Sequence, residues 1–253
     1  MEPRGKKEKQ ETTLMFPDVL DEYSEDPSQA FFELANASFI GYRLADDRML
    51  KIKQDPEHAC GNHTGGIVWE TSFLLLDYLR RSDENLGRMI EVGAGCGLLG
   101  LALSERCDKV VLTEAPEVLS NLQANLDLNK ESVKETTRAA CLDWTDFETT
   151  AEEASIGRHE WDTILGTDVI FSPSLVQPLL DTLLFLSHET TTIYICVQVR
   201  CPTSHALFQK TADFTIEEIP LEGWAKSLEC HLWKLTRRTA PVAAPPVEET
   251  PPS

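Results

Sequence analysis

Residues 91 to 100 read Glu91-Val-Gly-Ala-Gly-Cys-Gly-Leu-Leu-Gly100. An apolar run, Arg88 to Val92, leads into the glycines, and a helical pattern leads away from them over Gly97 to Glu105. In open α/β sheets a strand that turns through glycines into a helix forms a ligand-binding loop at the carboxyl ends of the strands. Gly93 and Gly95 allow the sharp turn and bring the backbone close to a ligand, because neither carries a Cβ. A dinucleotide fingerprint counted from Gly93 requires glycine at Leu98, and the glycine stands at Gly97 instead, which weakens that reading. A P-loop requires Gly-Lys-Ser/Thr, and no lysine lies between Arg88 and Lys109.

Outward from this loop the chain alternates short apolar runs with helical segments. Candidate strands are Arg88 to Val92, Lys109 to Thr113, Thr137 to Leu142, Trp161 to Gly166, Thr191 to Val197, Phe214 to Ile219 and Leu228 to Leu235. Helical patterns over Gly97 to Glu105, Pro116 to Asn129, Phe147 to Ala154 and Ser174 to Ser187 separate the first five. Such alternation implies right-handed crossovers and a parallel sheet. The last two runs are joined only by "PLEGWAKS", too short for the dozen or so residues of a crossover, so that pair is expected to be antiparallel. The expectation is an α/β fold: a doubly wound, Rossmann-like, seven-stranded sheet, mostly parallel, with the last strand antiparallel. Upstream, Phe73, Leu74, Leu76, Tyr78 and Leu79 fit a helix ending near Arg80 and Arg81. Two alternating runs around Ala45-Asp46-Asp47-Arg48 predict an N-terminal β-hairpin over about residues 38–53.

The 253 residues, 42% of them hydrophobic, suffice for one substantial core. Residues 1–28 are polar and acidic and residues 239–253 are rich in proline, so both are expected to be disordered tails around a domain at 29–238. No fixed-period repeat is present. The formal net charge of -19, from 42 acidic and 23 basic residues, argues against binding phosphate backbones, so nucleic acid is not an expected partner. It keeps the chain soluble and favours encounter with basic proteins. The seven cysteines form no CxxC pair, and Cys96, Cys141 and Cys196 sit in apolar segments, which fits reduced thiols in the cytoplasm or nucleus. The first residues (Arg4, Lys6, Lys7, Glu8, Lys9) lack the apolar core of a signal peptide, and no apolar run approaches the ~20 residues of a membrane span. A soluble monomer without membrane contact is expected.

An acidic residue followed by Gly-x-Gly-x-Gly resembles the class I S-adenosylmethionine-dependent methyltransferases. The stretches "TGGIVWE" (Thr64 to Glu70), "EVGAGCGLLGL", "LTE", "NLQANLDLN", "LDW", "TDVIF" (Thr167 to Phe171) and "FTIEEIPLE" (Phe214 to Glu222) are similar to the methyltransferase-like protein-lysine methyltransferases, and together they cover most of Ser38 to Leu235. The resemblance implies S-adenosyl-L-methionine as cofactor, held by Trp69, Glu91, Gly93, Ala94, Gly95, Glu114, Asp143, Trp144 and Thr167. It places Glu91 near the amino-acid portion, where a carboxylate favours a cationic ammonium and sulfonium and would repel a pyrophosphate. It places Glu114, closing the second strand, on the ribose hydroxyls, and Asp143 and Trp144 beside the adenine. It implies catalytic roles for Asp168, which would capture and orient the incoming amine, and for Phe171. The family carries Asp-x-x-Tyr where this chain reads Asp168-Val169-Ile170-Phe171, so an aromatic face remains and a hydroxyl is lost. The implied partner is a protein substrate, such as an AAA ATPase or another chaperone or translation protein.

Other readings of the same residues stay open: Trp69, Trp144 and Phe171 also fit a core, and Glu114 also fits a solvated strand end. The same fold could methylate a histidine or a small molecule, or bind the cofactor without turnover. His58, Cys60 and His63 supply three ligand types without a second cluster, so no metal is expected. Asn125, on an amphipathic helix, is assigned to the fold and not to chemistry.

Overall fold

The computed structural model describes residues 12–22, 25–45, 47–55, 64–82 and 84–238. The expected tail residues 1–11 and 239–253 lie outside the described residues, as do His58, Cys60 and His63.

The expected hairpin is present: β2 (Phe39–Arg43) pairs antiparallel with β3 (Met49–Lys53). The expectation of a tail running to Ser28 is corrected, because β1 (Thr13–Phe16) adds parallel to β2 and completes a three-stranded sheet. The averaged acidity of the segment hid the short apolar stretch Leu14-Met15-Phe16. Phe16 is buried, with its ring stacked 4.0 Å from Phe73 and 6.2 Å from Tyr42. Burying one such ring stabilises by about 1.5–3 kcal/mol, enough to hold a short strand. After the short helix α1 (Asp18–Glu22), α2 (Pro27–Asn36) begins at an Asp26 cap whose side chain accepts from the Ser28 N–H at 3.1 Å, with Pro27 at the first helical position. It buries Ala30, Phe31 and Leu34.

The main sheet comprises β4 (Arg88–Val92), β5 (Lys109–Glu114), β6 (Thr137–Cys141), β7 (Thr163–Thr167), β8 (Thr192–Gln198), β9 (Phe214–Ile219) and β10 (Cys230–Arg237), in the order β6-β5-β4-β7-β8-β10-β9. The β4-β5, β5-β6, β4-β7 and β7-β8 ladders are parallel, whereas β10 is antiparallel to both β8 and β9. The reversed last strand thus slots between its two predecessors. Helices α3 (Glu70–Arg81), α4 (Leu98–Leu103) and α5 (Leu119–Leu128) cover one face, and α6 (Phe147–Glu153) and α7 (Pro173–Leu186) cover the other; α8 (Pro202–Phe208) and α9 (Trp224–Ser227) connect the last strands. Because side chains alternate along a strand, Met89 belongs to one core and Ile90 to the other, as do Val110 and Val111.

The three-stranded sheet is fastened to this body by two asparagines. Asn125 accepts from Lys53 N–H at 2.7 Å and donates to Lys53 C=O at 2.9 Å, and Asn129 does the same for Lys51 at 2.8 and 2.9 Å. Four residues of helix rise ~6 Å and two residues of strand ~6.6 Å, so helix α5 continues the ladder of β3 with side-chain amides. The order of the main sheet reverses at β4 and β7, which places a crevice at their carboxyl ends.

Candidate active site

A cavity of about 430 Å³ opens at that crevice, within the size range of cofactor sites. Trp69, Gly93, Ala94, Gly95, Glu114, Asp143, Trp144, Thr167, Asp168 and Phe171, all expected from the sequence, line it. The glycine loop follows β4 with positive φ at Gly93 (65°), Gly95 (56°) and Gly97 (85°), a conformation that residues with a Cβ rarely adopt. A Cβ on Gly93 would lie 2.9 Å from Val169 Cγ1 and 3.2 Å from the Trp144 ring.

Glu114 ends β5 and is held by the loop it faces: Oε1 accepts from Gly95 N–H at 2.9 Å and Oε2 from Ala115 N–H at 2.7 Å. Burial raises its carboxyl above the ordinary value against the opposing pull of those two bonds. Each oxygen keeps a second lone pair for a ligand. Asp143 follows β6 and turns Oδ1 to the Thr145 N–H and hydroxyl at 2.8 and 2.7 Å. Thr167, at the end of β7, shares a hydrogen bond of 2.9 Å with Ser72 on α3, and the Trp69 Nε1–H donates to Thr64 C=O at 3.1 Å.

Glu91 does not take the position expected of it. It is 1% exposed and does not line the cavity; its Oε2 accepts from Gly100 N–H at 3.0 Å, at the first turn of α4. Burial raises its carboxyl to about 8. The reason is geometric: Glu91 lies within β4, so its side chain enters the layer under the loop, where only Gly100 leaves room, since a Cβ there would sit 2.6 Å from Glu91 Oε2. Glu91 supports the loop from beneath.

Asp168 sits on the cavity wall at φ 53°, with Oδ1 accepting from Gln198 N–H at 2.9 Å and Oδ2 from Arg200 Nη2 at 2.9 Å. Val169 and Ile170 are buried while Phe171 remains partly exposed at the rim. Among the described residues the lining carries four acids, Glu114, Glu117, Asp143 and Asp168, and no lysine, arginine or histidine. Such a wall disfavours a pyrophosphate and suits a cationic ligand. The chemistry of S-adenosyl-L-methionine therefore fits the residues present. Ser72, Thr64, Gly65 and Arg200 escaped the sequence reading. Thr64 and Gly65 had a signal, within the "TGG" stretch, and a Cβ on Gly65 would lie 3.4 Å from Gly95 Cα.

Comparison with known proteins gives the same answer. The family described as lysine methyltransferase matches residues 44–214. This chain belongs to the lysine methyltransferase family. Within that family it is 29% identical over 163 residues to the mouse protein-lysine methyltransferase METTL21E, covering 61% of this chain and 65% of that one. It is 26% identical over 174 residues to EEF1A lysine methyltransferase 3 of Xenopus tropicalis, covering 67% and 74%. The match reaches only 49% of the length of an uncharacterised Dictyostelium discoideum protein, at 29% identity over 59% of this chain, so the chain spans about half to two thirds of several curated relatives. The fold also resembles the crystal structure of a predicted O-methyltransferase from Agrobacterium tumefaciens, with a TM-score of 0.51 and 17% identity over 68% of this chain and 82% of that chain. The matched region contains the glycine loop between β4 and α4 that lines the cavity. Among the described residues no group of three or more His, Cys, Asp or Glu side chains could hold a metal ion.

Proposed function

We propose that the protein is an S-adenosyl-L-methionine-dependent protein-lysine methyltransferase. The observation that carries this reading is the lining, acidic and without lysine, arginine or histidine among the described residues, of a cavity built on a glycine loop, in a chain of the lysine methyltransferase family. S-adenosyl-L-methionine supplies a methyl carbon activated by a cationic sulfur. Glu114 would hold the ribose and the Asp143 Oδ2 the adenine amino group, with Trp144 against the ring and Trp69 and Thr167 closing the side nearest Asp168. Asp168 then orients the substrate nitrogen, and Phe171 gives an apolar face to the lysine stem.

The nucleophile must arrive without its proton. With an ordinary lysine value of ~10.4, only about one amine in a thousand is neutral near pH 7.4, so desolvation at the apolar rim is part of the function. Most of the catalysis is alignment and the exclusion of water. The substrate is a protein: a relative is named for EEF1A, and an AAA ATPase or another chaperone is the alternative that the sequence resemblance implies. The described cysteines are free, in keeping with a reducing compartment such as the cytoplasm or nucleus.

Incubating cell extract with labelled cofactor and the enzyme, followed by residue-level mass spectrometry, tests the activity. Label on lysine side chains is expected. Label confined to histidine, to small molecules, or to nothing would overturn it.

A further inference from the structure

Behind the wall that Asp168 and Trp69 present to the cavity stands an arginine. Arg200, in the loop after β8, places its guanidinium 4.2 Å from the centroid of the Trp69 ring. Its Nη2 donates to Glu70 Oε1 at 2.8 Å and to Asp168 Oδ2 at 2.9 Å. The side chains of Asp168 and Glu70 are 5% and 12% exposed and that of Arg200 30%, so the charges are largely withdrawn from water. One guanidinium therefore serves two carboxylates and one aromatic face, joining the start of α3 to the ends of β7 and β8. The planar fork and the stacked face are features of arginine that lysine does not reproduce.

We propose that Arg200 is a positioning residue for methyl transfer: it fixes the Asp168 carboxylate and the Trp69 ring at the cavity wall, and it offsets the acidic pair so that the incoming lysine is not trapped as an ammonium. This inference rests on the methyltransferase reading. Without Arg200, two nearby carboxylates would favour the protonated amine, which cannot accept a methyl group. The other titratable groups facing the pair do not replace this cation. Cys196 on β8 and Cys230 on β10 are thiols that burial pushes up, Cys230 to about 12, so they stay neutral near pH 7. Cys201, next in the chain, has a thiol that hydrogen bonds from Ser204 pull below the ordinary value, and it brings no positive charge. Glu70 itself is raised by burial, with Arg200 acting against that rise.

The test compares wild type with Arg200→Met, Arg200→Lys and Glu70→Gln, measuring initial rates of labelled-lysine formation in extract from about pH 6 to about pH 10, where the neutral fraction climbs steeply below the ordinary lysine value of ~10.4. Calorimetric titration with S-adenosylhomocysteine monitors the folded cavity. In Arg200→Met the ascending limb of rate against pH should move up by about one unit, roughly a tenfold loss at neutral pH, while S-adenosylhomocysteine still binds, at most a few-fold more weakly because Trp69 loses the guanidinium stacked on it. Arg200→Lys keeps the charge and should restore the position of the limb while the plateau rate stays reduced. Glu70→Gln removes one acid and should move the limb down, which keeps the inference testable if Arg200→Met fails to bind S-adenosylhomocysteine. A uniform loss of rate at every pH, or an unmoved limb in Glu70→Gln, would overturn the charge role of Arg200. Absence of labelled lysine with wild type would instead overturn the activity itself.

Discussion

A carboxyl sealed beneath Gly100 ionises only against the low polarity around it. Glu91 has its value raised from 4.5 to about 8. A raised folded-state value means that the folded protein holds the proton more tightly, so the associated stability is full below pH 4.5 and is lost as pH rises through about 8. Glu91→Gln keeps an oxygen for the Gly100 N–H and removes the titration. It should raise stability above pH 8 by on the order of a few kcal/mol and leave acidic pH nearly unaffected, as urea midpoints across pH would show. An unchanged pH profile would mean that Glu91 is ionised without penalty. Asp168 illustrates the opposite placement, on the cavity wall at φ 53°, where asparagine is tolerated. Asp168→Asn should lower transfer about a hundredfold by losing the charge that orients the amine, with S-adenosylhomocysteine affinity nearly constant. Wild-type turnover in that variant would remove Asp168 from the reaction. These two acids also mark what was legible at this scale. The family resemblance singled out both, but which face of β4 Glu91 would take, and that Arg200 would share Asp168, depend on packing between segments far apart in the chain.

Among the elements, Arg88 to Val92 and Phe214 to Ile219 were expected with the bounds observed, the first buried along nearly its whole length and the second an edge strand buried only at Phe214. The slot that β10 occupies between β8 and β9 was not, because a short connection specifies antiparallel pairing but not which edge receives the strand. Helix α2 carried a readable Asp-Pro start and the apolar spacing of Ala30, Phe31 and Leu34, masked by acidic neighbours. The stretch "NLQANLDLN" looked like an ordinary amphipathic helix, yet Asn125, fully buried, bonds Lys53 N–H and C=O and also the Cys96 C=O at 3.0 Å in the glycine loop. It therefore couples the added sheet to the glycine loop. Asn125→Ala breaks these bonds and leaves buried backbone groups unpaired, so a loss of about 2–4 kcal/mol in chemical denaturation is expected. A loss below about 0.5 kcal/mol would show that water replaces the amide at no cost.

Across the whole molecule, a net charge of -19 coexists with a cavity lining that is itself acidic among the described residues. Both favour cations, as the proposed sulfonium cofactor and lysine-bearing substrate require. The two cores meet across one sheet, and the N-terminal strand joins the first through Phe16, Phe31 and Phe73, so the added sheet and the seven-stranded domain form one packed body. The most direct test is calorimetric titration of the purified protein with S-adenosylhomocysteine, alongside NAD and the Gly93→Arg variant. One molecule should bind per chain, with no heat from NAD and no binding to Gly93→Arg, whose side chain would fill the space against Val169 and Trp144. Binding of NAD in place of S-adenosylhomocysteine, or undiminished binding by Gly93→Arg, would contradict a sulfur-nucleoside site on the loop between β4 and α4.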